Sequence, residues 1–214
     1  NNPRIYEGLL ENCPVEEWLN EPGWIEVPRY LNENCDFFIK LLVNLPEPVN
    51  VIPELRPLTK LYLQRTSSLA KEEPAIDVRA LGELRELVWL SLGFNQINDV
   101  SPLAGLTQLE YLCLRDNQIT DVSGLASLAQ LKELNLQGNP ITDLNALKPL
   151  TQLKKLNLWE VPLTDVSPLA AFTRLTKLYL GGGRNQINDV SALAGLTWLK
   201  FLNISKTQIT RTFL

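Results

Sequence analysis

Five aspartates, Asp99, Asp121, Asp143, Asp165 and Asp189, recur at steps of 22, 22, 22 and 24 residues. A stack of carboxylates could hold calcium, which takes about six to eight oxygen ligands. Each aspartate stands without the further acids such a loop needs. A short acid at a turn has a simpler use, accepting backbone N–H groups as the chain reverses. The column is therefore expected to be structural, and no metal is expected. Gly181, Gly182 and Gly183 could suggest a phosphate loop, but no Lys-Ser pair follows and no helix opens there. Their expected role is to let the chain absorb two extra residues.

Catalytic chemistry finds little to work with. The 214 residues contain no histidine, which removes the commonest general base and the commonest zinc ligand. Cys13, Cys35 and Cys113 are too few and too scattered for a zinc site. Without a histidine, Cys113 has no base to activate it, and it is expected to be an inert surface thiol. Cys13 and Cys35 fit a disulfide in a secreted protein and free thiols in a cytoplasmic one, and compartment logic favours neither. No cofactor is expected.

The spacing of the aspartates extends to their surroundings. NQINDVSPLAGL (95–106) returns as NQINDVSALAGL (185–196), with NQITDVSGLASL (117–128), NPITDLNALKPL (139–150) and VPLTDVSPLAAF (161–172) between them. Each has a front half: LVWLSLGFN from Leu87, LEYLCLRDN from Leu109, LKELNLQGN from Leu131, LKKLNLWEV from Leu153 and LTKLYLGGG from Leu175. Looser copies are LTKLYLQRT from Leu58 and LKFLNISKT from Leu199. A fixed period in the twenties marks a solenoid.

Elementary geometry gives the coil. In LxL both leucines point inward and the middle residue outward, as in a short strand. Ile97, Val100, Leu103 and Leu106 are three apart, which suits a 3₁₀ turn whose i and i+3 side chains eclipse. Ser101-Pro102 and Ser167-Pro168 place a capping residue before a proline at the start of that turn. One coil cannot bury its leucines alone, so coils stack.

The pattern LxxLxLxxN-xIxDVSxLAxL resembles the leucine-rich repeat family, in its 22-residue class, over about residues 58–209. Bacterial internalins and the nuclear phosphatase-1 regulatory subunit belong to that class. The resemblance implies an α/β solenoid: a right-handed arc with a concave parallel sheet and convex 3₁₀ or short helical turns. It also implies an internal ladder of Asn95, Asn117, Asn139 and Asn185, whose amides bond backbone groups of neighbouring coils. Val161 interrupts that column.

Residues 1–35 fall outside the repeat and are expected to form a partly helical N-terminal cap. Residues 36–57 read as a degenerate first coil, and 58–214 as about seven coils, the last incomplete; these seven are numbered one to seven from Leu58, Leu87, Leu109, Leu131, Leu153, Leu175 and Leu199. The coil from Leu58 is longer than the rest, with its extra residues around SLAKEEPAI (68–76), where a loop is expected. The chain opens on Asn1, as a fragment or processed form would. After Ile209 the aspartate position holds Arg211, which fits either a makeshift end or coils cut away.

Net charge is −4, divided as ten acids against four bases over 1–57 and fourteen against sixteen over 58–214. A nearly neutral solenoid lacks the strongly basic profile of a nucleic-acid binder, and no nucleic-acid partner is expected. No apolar run is long enough for a membrane span.

What differs between coils is the outward face of the strands. Tyr62, Trp89, Phe94 and Tyr111 form an early aromatic patch, with Arg115 beside it. Lys155 and Lys177 form a later basic patch, with Trp159 and Tyr179 close by and Lys132, Lys154 and Lys200 in the adjacent column. Asn135 also faces out and should tolerate alanine. Water-facing aromatics in a row have no packing purpose, and aromatics flanked by charge make binding hot spots. These features predict a non-enzymatic module recognising a protein partner with an acidic and an apolar contact region. Resemblance to internalins implies a secreted or surface bacterial adhesin-like protein. The alternative is a ligand-sensing or scaffold domain of a larger intracellular signalling protein, with any catalytic activity elsewhere. Both compartments fit the residues equally.

Overall fold

The structure is a computed structural model that describes residues 59–63 and 78–207. All of them belong to the compact unit Leu45–Leu214. The expected cap, the degenerate first coil, the 68–76 loop, Cys13, Cys35, the side chain of Tyr62 and the stretch after Thr207 lie outside the described residues.

Seven strands form one parallel sheet in chain order: β1 (Lys60–Tyr62), β2 (Trp89–Ser91), β3 (Tyr111–Cys113), β4 (Glu133–Asn135), β5 (Lys155–Asn157), β6 (Lys177–Tyr179) and β7 (Phe201–Asn203). The register follows the repeat without slippage. Trp89 pairs with Tyr111, Tyr111 with Glu133, Glu133 with Lys155, Lys155 with Lys177 and Lys177 with Phe201. The LxxLxL register predicts strands such as 89–92 and 111–114, and those observed are one residue shorter. Pairing nevertheless continues, since the Leu92 N–H donates to the Cys113 carbonyl at 2.8 Å and Leu114 to Asn135 at 2.8 Å.

The inward positions are closed to water. Leu90, Leu92, Leu112, Leu114, Leu134, Leu136, Leu156 and Leu158 are all buried. So are the residues spaced by three on the return leg, such as Val100, Leu103, Leu106 and Leu109. That leg carries 3₁₀ turns at Val78–Glu83, Ser101–Gly105, Ser123–Leu125, Asn145–Leu147, Ser167–Ala171 and Ser191–Gly195. The tight turn brings every third side chain over the same line, which is how one short segment supplies several core leucines.

The capping differs from the expectation that Ser101 and Ser167 are the caps. Val100 and Val166 occupy the cap position and make no side-chain cap bond. The aspartate just before does the work. Asp99 accepts the Ser101 N–H at 2.8 Å, Asp121 that of Ser123 at 2.8 Å, Asp143 that of Asn145 at 2.8 Å, Asp165 that of Ser167 at 2.7 Å and Asp189 that of Ser191 at 2.8 Å. The valine side chain is needed in the core, so the acceptor sits one residue earlier.

A second column was not visible in the leucine pattern. Phe94, Asp116, Gly138, Glu160, Gly182 and Lys206 all have positive φ, between 50° and 106°. They are equivalent positions at the end of each strand, and only two are glycine. A residue with a side chain is strained there. The turn is imposed by the stacking of coils in spite of local preference.

Candidate partner-binding face

The outward side of the sheet carries the residues that vary between coils. Trp89 and Tyr111 stand next to each other in register, and their rings stack at 4.7 Å with planes 9° apart. Both are half-buried. Phe94 lies under the Arg115 guanidinium, 4.8 Å from its ring centre, and Arg115 also pairs with Asp116 at 3.0 Å. Of the early aromatic patch, Trp89 and Tyr111 are thus brought together, while Phe94 pairs with Arg115.

Cys113 corrects an expectation. It lies on the outward side of β3 but is only 3% exposed. Its same-face neighbours along the chain, Tyr111 and Arg115, are both much longer side chains, and a small thiol between them is covered.

The later patch is less basic than its sequence. Lys155 pairs with Glu133 of the preceding strand at 3.5 Å, and Lys132 pairs with Glu110 at 2.6 Å. Lys177 is exposed and makes no ion pair among the described residues. Trp159 packs against the next coil: a Cβ on Gly181 would come within 2.3 Å of its ring. Tyr179 leans on Phe201 at 5.0 Å. Asn135 does face out, but its side chain accepts the Gln137 N–H at 3.1 Å, and Asn157 accepts that of Trp159 at 3.0 Å. Alanine at Asn135 therefore removes a bond, and the expectation of tolerance is withdrawn.

Behind the strands run the asparagines. Asn117 accepts the N–H groups of Asn95 and Ile97 in the preceding coil at 3.0 and 2.9 Å. It donates to the carbonyls of Leu92, Leu114 and Arg115. Asn139 repeats the arrangement with Ile119, Leu114 and Leu136, and Asn95 reaches Leu63 and Gly93. Asn185 is buried too but bonds within its own coil, to Leu180 and Ile187. The glycine loop before it is closed by protein: the Glu160 carboxylate accepts the Gly183 N–H at 2.9 Å and that of Arg184 at 3.3 Å. A carboxylate already occupies the place an anion would take.

A family model described as Leucine Rich repeats (2 copies) matches residues 85–127, 107–149, 129–171 and 151–195. The chain is a leucine-rich repeat protein. Its solved structural neighbours include an internalin (inlF) from Listeria monocytogenes, 34% identical, with TM-score 0.65 over 73% of this chain and 50% of that one. An internalin C2 (inlC2) from the same organism is 25% identical, with TM-score 0.62 over 82% of this chain and 90% of that one. A leucine-rich repeat protein of Leptospira interrogans is 26% identical, with TM-score 0.61 over 74% and 45%. The chain thus spans about half the length of the first and third of these. No curated protein matches it.

Leucine-rich repeat proteins are generally protein-interaction modules and typically non-catalytic. Among the described residues no cluster of His, Cys, Asp and Glu could hold a metal ion, and no helix is long and apolar enough to cross a membrane. Two exposed side chains lie outside the patches expected from the sequence, Trp198 at 67% and Phe201 at 43%. Trp198 had a signal: equivalent positions hold Gln108, Gln130, Gln152 and Arg174.

The aspartate caps make a pH prediction. Hydrogen bonds from the backbone N–H and then the hydroxyl of Ser101 hold Asp99 below its ordinary value of 3.8, and Ser167 and Ser191 do the same for Asp165 and Asp189. A carboxylate lowered on folding stabilises above its unfolded value and loses that contribution as pH falls through the folded one. Denaturant midpoints should therefore fall as pH drops below about 5. An Asp99→Asn, Asp165→Asn, Asp189→Asn variant should show a flatter acid limb. A limb as steep as the parent's would mean other carboxylates set it.

Proposed function

We propose that the outward face of the sheet binds a protein partner, anchored on Trp89 and Tyr111, with Phe94 and Arg115 at its margin. The observation that carries this is the Trp89–Tyr111 stack itself. Two large rings lie parallel, partly open to water, on strands held rigid by their neighbours. A partner covering them orders little that is not already ordered, so most of the burial energy appears as affinity. The likeness to internalins supports a bacterial protein of the secreted or cell-surface, adhesin-like kind, acting as a binding module without catalysis. Lys177 serves as a steering charge for an acidic part of that partner.

The test is kinetic. A partner captured on the immobilised chain is measured by surface plasmon resonance against variants. Trp89→Ala should cost about 2 kcal/mol or more, mainly as faster dissociation. Lys177→Ala should mainly slow association and weaken its salt dependence. Parent-like kinetics for both variants would remove the sheet face from consideration.

A further inference from the structure

We infer that coils five to seven carry a separate contact site for an acidic polypeptide segment that also bears aromatic or aliphatic side chains. This rests on the reading of the sheet face as a protein-binding surface, and names the chemistry of one part of it.

The first argument is charge. From coil three to coil five, acids and bases alternate between strands and cancel, as Glu110 with Lys132 and Glu133 with Lys155. Beyond Lys155 the alternation stops. Thr176, Lys177, Lys200 and Phe201 follow in those two columns, with Lys154 beside them. Lys154, Lys177 and Lys200 are exposed, and none makes an ion pair among the described residues. The acids of these coils are committed elsewhere. Asp165 and Asp189 cap turns on the return leg, and Glu160 closes the glycine loop. The face therefore presents positive charge that nothing in the described residues balances.

The second argument is apolar area. Phe201 stands directly beside Lys177 in the register and is 43% exposed, with Tyr179 against its ring. Trp198, three residues before Phe201, is 67% exposed. Strands about 4.8 Å apart place Lys177 and Phe201 within reach of one bound segment. Lysines interleaved with open rings select a chain with carboxylates and apolar groups together. With fourteen acids against sixteen bases over 58–214, the solenoid lacks the extended basic surface that a long polyanion such as nucleic acid needs.

The test uses the full chain as bait for a displayed random-peptide library. Selected peptides are then synthesised with a fluorescent label, and their affinities measured by anisotropy at low and raised salt. Peptides rich in Asp and Glu with at least one aromatic or aliphatic residue are expected. The variant K177E/K200E should bind them at least about tenfold more weakly, because like charge now faces like. Phe201→Ala should weaken them severalfold and leave the salt dependence as it was. Selected peptides without acids, or acidic peptides that bind K177E/K200E as the parent does, overturn the inference. If the peptides that ignore K177E/K200E are lost on Trp89→Ala, the sheet-face reading survives and only the acidic site falls. If they ignore all three variants, both fall.

Discussion

Asn117→Ala should lower the unfolding free energy by about 3 kcal/mol, read as a shift of the urea midpoint at unchanged slope. The side chain is 6% exposed and holds two N–H groups of the preceding coil and carbonyls of two coils. Alanine leaves those backbone groups buried without partners, and each costs about 1–3 kcal/mol where water cannot reach it. Exposed Gln130, one position before a core leucine, is the control, and Gln130→Ala should change stability by less than about 0.5 kcal/mol. Equal midpoints for the two variants would mean that water enters the gap and that the asparagine column is not a structural tie.

Gly124→Val should be similarly costly, about 3 kcal/mol, through overpacking. A Cβ at Gly124 would lie 2.6 Å from the Ser101 Cα, 2.7 Å from the Val100 carbonyl oxygen and 2.8 Å from the Ser101 nitrogen. All three are backbone, so no rotamer change relieves them. Coils four and six hold Ala146 and Ala192 at the equivalent position. The restriction thus belongs to the approach of coil three to the turn before it. Gly195 is the contrast, with nothing within 4 Å of its Cβ position. Gly195→Ala should stabilise by about 0.4–1 kcal/mol, because alanine restricts the unfolded chain at no native cost. Thermal melts of the pair check both signs at once, and a tolerated Gly124→Val would show that the two coils can move apart cheaply.

Repetition made the strand register legible. A slip of one residue would turn Leu90 and Leu92 out and Trp89 and Ser91 in, and every coil would suffer the same error. The outward columns followed directly, and with them the neighbours of Trp89 and Lys155. What the columns hold was harder to see. The pairing of Lys155 with Glu133 needs both side chains to lean along the sheet, and the leucine pattern says nothing about that. A signal was present all the same, because Glu110 and Lys132, like Glu133 and Lys155, share a column one period apart. Cys113 looked exposed because parity alone places it outward, whereas its burial depends on the sizes of its neighbours. The serines looked like caps because the rule for helix starts favours them. Here the turn begins with a core valine, and the acceptor moved to the aspartate. The positive-φ column had its trace in Gly138 and Gly182, but four non-glycine residues concealed it.

The asparagine ties end at coil four, and this divides the array mechanically. Asn95, Asn117 and Asn139 each bond a carbonyl of the coil before. Val161 cannot, and Asn185, displaced by the glycine insertion, bonds only its own coil. From coil five to coil six the side-chain bonds are those of the Glu160 carboxylate, which accepts the Gly183 and Arg184 N–H groups, and of the Thr176 hydroxyl, which donates to the Lys154 carbonyl. In a linear array, cooperativity is set by the weakest junction between neighbours. The later coils should then open while coils two to four stay closed. Amide hydrogen exchange would register this as a step in protection between Leu134 and Leu178, two buried strand leucines. Such a hinge of cooperativity would let a ligand on the second half be felt as slowed exchange there, with the first half unmoved.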